Sequence, residues 1–181
     1  DNNGNMYLGG SFYQSGVTNH IAKFDSTTNL WSYFGSGLIM KYGSSSYSGH
    51  VNSIVIDDQE NIYAIGNFSH RGAVILNGVA KYDSSSDNWV ALGSGLQRED
   101  YNGNLIRGYG RTINKDSSGK LYIGGLFNWV DGKEINHIAR YDPALDEWSN
   151  VGSGLSDDCR SILINANKLY AGGYFQKAGN M

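Results

Sequence analysis

A chain of 181 residues is long enough for one substantial core or for a few units of a repetitive one, so repetition is the first thing to test. Hydrophobic residues make up 40% and charged residues only 17%, which leaves Ser, Asn, Gly and Tyr to cover a neutral polar exterior. A net charge of -3 with no run of Lys or Arg excludes both the basic field of a non-specific nucleic-acid binder and a polybasic membrane-surface patch.

In chain order, residues 1–38 predict three strands of a four-stranded unit. Strand B runs from Tyr7 towards Phe12, strand C is "HIAKFD" ending at Asp25, and strand D passes through Trp31 into "GSGL" at 35–38. Residues 51–96 predict a whole unit: strand A "VNSIVID" (51–57), B "NIYAIGNF" (61–68), C "GVAKYD" (78–83) and D "NWVALG" (88–93), closing on the second GSGL. Residues 110–155 predict another, from "GRTINKD" (110–116) through "HIARYD" ending at Asp142 and Trp148 to the third GSGL. Residues 159–181 then hold only strand A, "CRSILIN" (159–165), and strand B from Tyr170 to Phe175. Each run is short, rich in Val, Ile, Tyr and Trp, and bounded by Gly, Asn, Asp and Ser, which is the pattern of strands and turns.

The GSGL copies begin at residues 35, 93 and 152, and Trp31, Trp89 and Trp148 step with them. Four strands per unit at this period predict an all-β fold, a β-propeller of four-stranded antiparallel blades. A sandwich would not return the same side chains at a fixed spacing. The partial units at 1–38 and 159–181 lead us to expect an incomplete segment of a larger ring, completed by further blades of the same chain or by other copies. The aromatic positions are expected to fill the blades, the paired glycines of strand B to let a neighbouring blade approach, and GSGL to be the joint between blades, with Leu tucked into the interface.

"YDPALDEW" (141–148), "YDSSSDNW" (82–89) and "FDSTTNLW" (24–31), together with "LYIGG" (121–125) and "LYAGG" (169–173), resemble the kelch-type repeat shared with the propeller domain of galactose oxidase. The kelch unit usually follows its Trp with a Met-Pro and Arg element, whereas GSGL stands here. That variant is closer to repeats of fungal cortical landmark proteins and of large secreted bacterial repeat proteins. The resemblance implies an extracellular or surface-associated protein.

In a four-stranded meander the A–B and C–D turns share one face, and the B–C and D–A connections share the other. The long connections all fall on the latter: 39–50 and 97–109 between blades, 69–77 and 128–136 within them. Function concentrates in such loops on a rigid scaffold. Their Tyr, Ser, Gly and Asn content suits recognition of a protein or a glycan, with Tyr42, Tyr47, Tyr101, Tyr109 and Trp129 as candidate contacts. The competing reading has these rings merely packing the loops onto the propeller. The second residue of strand A is Asn52, Arg111 and Arg160 in successive blades, either a positive funnel for a carboxylate or sulfate or a set of bonds to the next blade, for instance to Asp157 or Asp158.

Chemistry is sparsely represented. The lone Cys159 excludes an internal disulfide, and no paired CxxC zinc ligands occur. His20 and His137 occupy one repeat position two blades apart, and His50 with His70 lacks a nearby carboxylate. No GxSxG, HExxH or GxxxxGK motif is present, and none of galactose oxidase's copper ligands can be carried over. The expectation is therefore a non-enzymatic module without metal or cofactor, without a nucleic-acid partner, and without any apolar run near the ~18 residues of a membrane span. Two alternatives stand beside it: a structural subunit of a virion, filament or stalk, and part of an enzyme whose catalytic residues lie outside residues 1–181. Asn67-Phe68-Ser69 is a possible glycosylation sequon at a strand-B position expected to be exposed.

Overall fold

The computed structural model describes residues 1, 3–12, 20–34, 37–166 and 168–180. Among these there is no helix, and the strands assemble into antiparallel sheets, the blade sheets following a meander order. The first sheet holds β1 (Met6–Gly9), β2 (Ile21–Asp25) and β3 (Leu30–Tyr33). A hairpin follows, β4 (Ile39–Tyr42) and β5 (Ser45–Ser48). The second blade takes β6 (His50–Ile56) and β7 (Ile62–Asn67), is interrupted by a small hairpin β8 (His70–Arg71) and β9 (Val74–Ile75), and finishes with β10 (Val79–Asp83) and β11 (Asn88–Ala91).

The same plan recurs in the rest of the chain. A hairpin β12 (Leu96–Glu99) and β13 (Leu105–Arg107) leads into β14 (Tyr109–Lys115) and β15 (Leu121–Leu126). A small hairpin β16 (Trp129–Val130) and β17 (Lys133–Glu134) precedes β18 (Ile138–Asp142) and β19 (Glu147–Asn150), and β20 (Cys159–Asn165) pairs with β21 (Lys168–Gly173) in a last two-stranded sheet. The all-β blade architecture expected from the repeat is what the chain adopts.

Local chemistry explains the C–D hairpins. Asp25, Asp83 and Asp142 end strand C, and each carboxylate accepts backbone N–H groups of the following turn: Thr28 at 2.8 Å, Ser85 at 3.0 Å and Ala144 at 3.1 Å. All three carboxyls titrate below their ordinary value, Asp25 foremost through the Thr28 amide, Asp83 through the Ser86 hydroxyl and Asp142 through the bond from Lys120. Asn29, Asp87 and Asp146 take the left-handed backbone that lets the chain reverse. The reversal then sets Phe24 opposite Trp31, Tyr82 opposite Trp89 and Tyr141 opposite Trp148, with ring centroids 5.1, 5.4 and 4.9 Å apart. Cross-strand aromatic pairs of this kind are worth about 0.5–1 kcal/mol each beyond their burial.

Neighbouring blades meet through strands A and B. Asn52 Nδ2 donates to the carbonyl of Gly110 at 2.7 Å, the Ile113 amide donates to Ser53 Oγ at 3.3 Å, and Asn114 Nδ2 reaches the carbonyl of Ile162 at 3.5 Å, so successive A strands line a common inner wall. Tyr63, Phe68, Trp89, Phe127 and Trp148 are buried as expected, whereas Trp31 in the first sheet and Tyr170 in the last stand about half exposed. GSGL is a turn. The amides of Gly95 and Gly154 bond back to Leu92 and Val151, both glycines have positive φ, and Leu96 and Leu155 are buried while their amides donate to Asn77 and Asn136. Gly35 and Ser36 of the first copy lie outside the described residues.

Two features were not anticipated. The long connections do not stay loops: each D–A hairpin pairs with the B–C hairpin of the blade that follows, giving two accessory four-stranded sheets of order β5-β4-β8-β9 and β13-β12-β16-β17. Ile39 pairs with His70 in one, Leu96 with Val130 in the other. Secondly, every A strand carries a bulge, between Val51 and Ser53, Gly110 and Thr112, and Cys159 and Ser161.

Candidate functional site

The bulged residues are Asn52, Arg111 and Arg160. A bulge leaves one residue out of the ladder and re-aims its side chain, and here it does so at the same place in three sheets. The opposing strand-B position is Gly66, Gly125 or Gly173, where a Cβ would overlap the carbonyl of His50, Tyr109 or Asp158. The glycine is therefore what lets the bulge close against strand B.

Each bulged side chain finds a protein partner. Asn52 bonds Gly110 as described. Arg111 Nε lies 3.2 Å from a carboxylate oxygen of Asp158 in the next sheet, and Arg160 Nε lies 2.9 Å from the same oxygen. Asp158 is almost wholly buried, and two guanidinium groups share it. Asn52 and Arg111 thus bond to the next blade whereas Arg160 bonds within its own, and Arg111 and Arg160 are brought together by one acid.

Tyr109, a candidate contact, proves to be an organising residue. Its half-buried ring has the guanidinium carbon of Arg107 at 4.4 Å from its centroid and those of Arg98 and Arg111 at 5.7 Å. Trp129 is half-buried too, and its indole Nε1 donates to Glu99 at 3.0 Å, tying β16 to the end of β12. Both rings pack the hairpins onto the blade. Asn67 also departs from expectation. It is half-buried rather than exposed, with its Oδ1 accepting a 2.7 Å bond from Arg107 Nη1 of β13.

Tyr42, Tyr47 and Tyr101 behave differently. Tyr42 and Tyr47 are 61% and 56% exposed and meet edge to face at 5.9 Å on the β4–β5 hairpin. Tyr101 is fully exposed at the tip between β12 and β13. That tip is rigidified by Asp100, whose carboxylate accepts the amides of Asn102 and Asn104 at 2.8 and 2.9 Å and consequently titrates below its ordinary value. The pronounced concavities of the molecule lie elsewhere, under the tight turns near Asp116 and Tyr122 and at the two end sheets, so these rings form a protruding surface rather than a pocket.

Three of the four histidines, His20, His70 and His137, titrate below their ordinary value. His20 is buried, its Nε2 is 3.3 Å from Ser48 Oγ and its Nδ1 has no partner among the described residues. Burial, followed by proximity to His50, pushes its titration down. Burial does the same to His137, outweighing Asp157 and Asp158, and to His70, with help from Lys41. Among the described residues no group of three His, Cys, Asp or Glu side chains could hold a metal ion, and no helix is long and apolar enough to cross a membrane. Cys159 is buried at the β15–β20 interface, and its burial raises the thiol to about 11.

Comparison with known proteins adds the following. Residues 117–144, which contain β15 and β18, match a family described as "Domain of unknown function (DUF5122) beta-propeller". Over 172 residues the chain is 32% identical to the polarized growth protein rax2 of Schizosaccharomyces pombe, an alignment covering 93% of this chain and 12% of that protein. The extracellular domain of a hybrid two-component system from B. thetaiotaomicron is similar at 14% identity and a TM-score of 0.26, covering 86% of this chain and 29% of that one. The family match at residues 117–144 and the repeated four-stranded sheets agree on a β-propeller fold.

Proposed function

We propose that the chain is a non-enzymatic propeller module that recognises a protein or a glycan through the face built by its accessory hairpins, in an extracellular or surface-associated setting. The observation that carries this reading is the exposure of Tyr42, Tyr47 and Tyr101 on a face where Tyr109 and Trp129 are packed away. A Tyr ring brings large contact area at low conformational-entropy cost, and rigid hairpins lower that cost further. The surface setting rests on the resemblance of the GSGL-type repeat and on the match to a polarized growth protein, of which this chain spans 12%.

The test is a glycan array together with a panel of immobilised candidate surface proteins, probed with the wild type and with a Tyr47→Ala/Tyr101→Ala variant. The expected result is a bound ligand whose affinity falls about tenfold or more in the variant, the size of effect that loss of a contact aromatic produces. If no bound ligand loses affinity in the variant, the hairpin face is removed from the account. A purely structural role is the second reading. It is favoured by the apolar side chains left exposed on the end sheets, Leu8 and Trp31 at one and Leu163 and Tyr170 at the other.

A further inference from the structure

Four of the six arginines in the chain, Arg98, Arg107, Arg111 and Arg160, lie along one stretch of the inner mouth. Three of them surround the Tyr109 ring, and the fourth joins Arg111 on Asp158. Arg160 in turn stacks on Tyr174, its guanidinium carbon 4.6 Å from the ring centroid, and Tyr174 is 69% exposed. In a protein of net charge -3 this is a local concentration of positive charge, held by a single shared carboxylate in direct contact.

The donors are not used up by the fold. Arg111 and Arg160 both reach Asp158 through Nε, and among the described residues no protein acceptor takes the Nη groups of either. Their side chains are 28% and 46% exposed, so those forks face solvent. The Nε of Arg98 is buried and has no hydrogen-bond partner among the described residues. A guanidinium anchored at Nε presents its two Nη groups as a planar pair, the geometry that takes the two oxygens of a carboxylate or sulfate. Anchoring also lowers the entropy lost on binding.

We propose that the wall formed by Arg98, Arg107, Arg111, Arg160 and Tyr174 is a binding site for the carboxylate or sulfate groups of an acidic glycan. The charges are strung across three sheets, those of β12–β13, β14 and β20, rather than gathered in a closed pocket, which fits an anion repeated along a chain better than a single small ion. The exposed Tyr174 ring beside Arg160 gives a flat apolar platform on which the face of a sugar stacks while its acid group reaches the guanidinium. Its anchored residues Arg111 and Arg160, with Tyr174, lie off the accessory hairpins, and the proposal does not depend on Tyr42, Tyr47 or Tyr101 being contacts.

Fluorescence anisotropy with a labelled heparin-derived tetrasaccharide and a labelled oligogalacturonate, against neutral maltotetraose and a polyglutamate peptide, tests the proposal. One acidic oligosaccharide is expected to bind, to weaken steeply as salt rises, and to lose about tenfold or more in affinity in Arg160→Gln/Tyr174→Ala, which leaves Asp158 paired with Arg111. Tyr47→Ala/Tyr101→Ala is expected to bind it as the wild type does, which separates this site from the hairpin face. Should Arg160→Gln/Tyr174→Ala melt early, Arg98→Gln serves instead, because its Nε has no bond to lose, and it is expected to weaken binding by about threefold or more. Failure of both acidic oligosaccharides to bind, wild-type affinity in the informative variant, or tighter binding of polyglutamate than of either sugar would each overturn the proposal, the last by making it a site for acidic protein segments.

Discussion

At the scale of single residues, the blade interface works by exchanging bulk between two facing positions. The first glycine of strand B faces the start of the next A strand, and a Cβ on Gly9 would come within 2.7 Å of Val51, one on Gly124 within 2.7 Å of Cys159 Sγ. The middle interface inverts the arrangement: Ile65 stands where the others have glycine, and Gly110 stands where the others have Val51 or Cys159, with Ile65 filling the space of a missing Cβ. Gly110→Val therefore overpacks the interface and is expected to cost about 1–3 kcal/mol in urea unfolding. Adding Ile65→Gly recreates the Gly9–Val51 combination and should recover part of that loss, a coupling of about 1 kcal/mol or more. Strict additivity of the two changes would show that they do not share the space. Cys159 yields a second expectation at this scale. Buried, with its thiol raised to about 11, it should react with a thiol reagent at about pH 8 at a rate set by opening of the β15–β20 interface, orders of magnitude below that of the unfolded chain. Labelling at the unfolded rate would show that this interface is open in solution.

Among the elements, the accessory sheets decide what the molecule presents, and their stitching is specific. Ser69 is buried at the corner between β7 and β8, where its Oγ accepts the amide of Lys41 at 2.9 Å and sits 2.7 Å from His70 Nδ1. Removing the hydroxyl leaves the Lys41 amide without its partner, so Ser69→Ala is expected to cost about 1–2 kcal/mol and to raise hydrogen exchange at Lys41 and in β4 and β5 before the rest of the blade. Uniform exchange change across the second blade would mean the hairpin is not an independent unit. The main strands were legible in sequence because their signals are local and repeated: "VNSIVID" is rich in Val and Ile, "YD…W" recurs, and each turn carries its own Asp or Gly. The accessory sheets were not. "IMKYGSSSYSGH" has no core-facing alternation, and its partner β8 lies about thirty residues away, so pairing is a tertiary event that strand propensity does not encode. For the same reason the five candidate rings read alike in sequence, since only the fold brings Arg107 and Glu99 to Tyr109 and Trp129. The funnel was legible as a column of equivalent positions, Asn52, Arg111 and Arg160, but not the bulge that sets their direction.

For the molecule as a whole, the repeat makes a pH response additive across blades. His20 and His137 occupy the same position ahead of strand C, both have an Nδ1 without a partner among the described residues, and burial is the chief reason each titrates below its ordinary value. His50 adds to the effect at His20, whereas the carbonyl of Gly125, Asp157 and Asp158 oppose it at His137. A histidine whose folded-state pKa is depressed binds its proton more readily in the unfolded chain, so both contribute stability that is complete above about pH 6.5 and lost as pH falls below it, towards their folded-state values. Asp25, Asp83, Asp100 and Asp142 are shifted down as well, but their contribution is present above the ordinary carboxylate range of about 4 and is lost only in more acid solution. The two windows are separable. Between about pH 6.5 and pH 5 the melting temperature should fall through the histidines alone, and His20→Gln, which retains a polar group for Ser48 without titrating, should flatten that part of the curve while leaving the more acid part unchanged. His137→Gln should do the same, and the double variant should flatten it further, because the residues sit in different sheets far enough apart for their effects to add. A wild-type curve already flat across that window, or one that steepens on removing either imidazole, would contradict the burial of neutral histidine as the source of acid sensitivity.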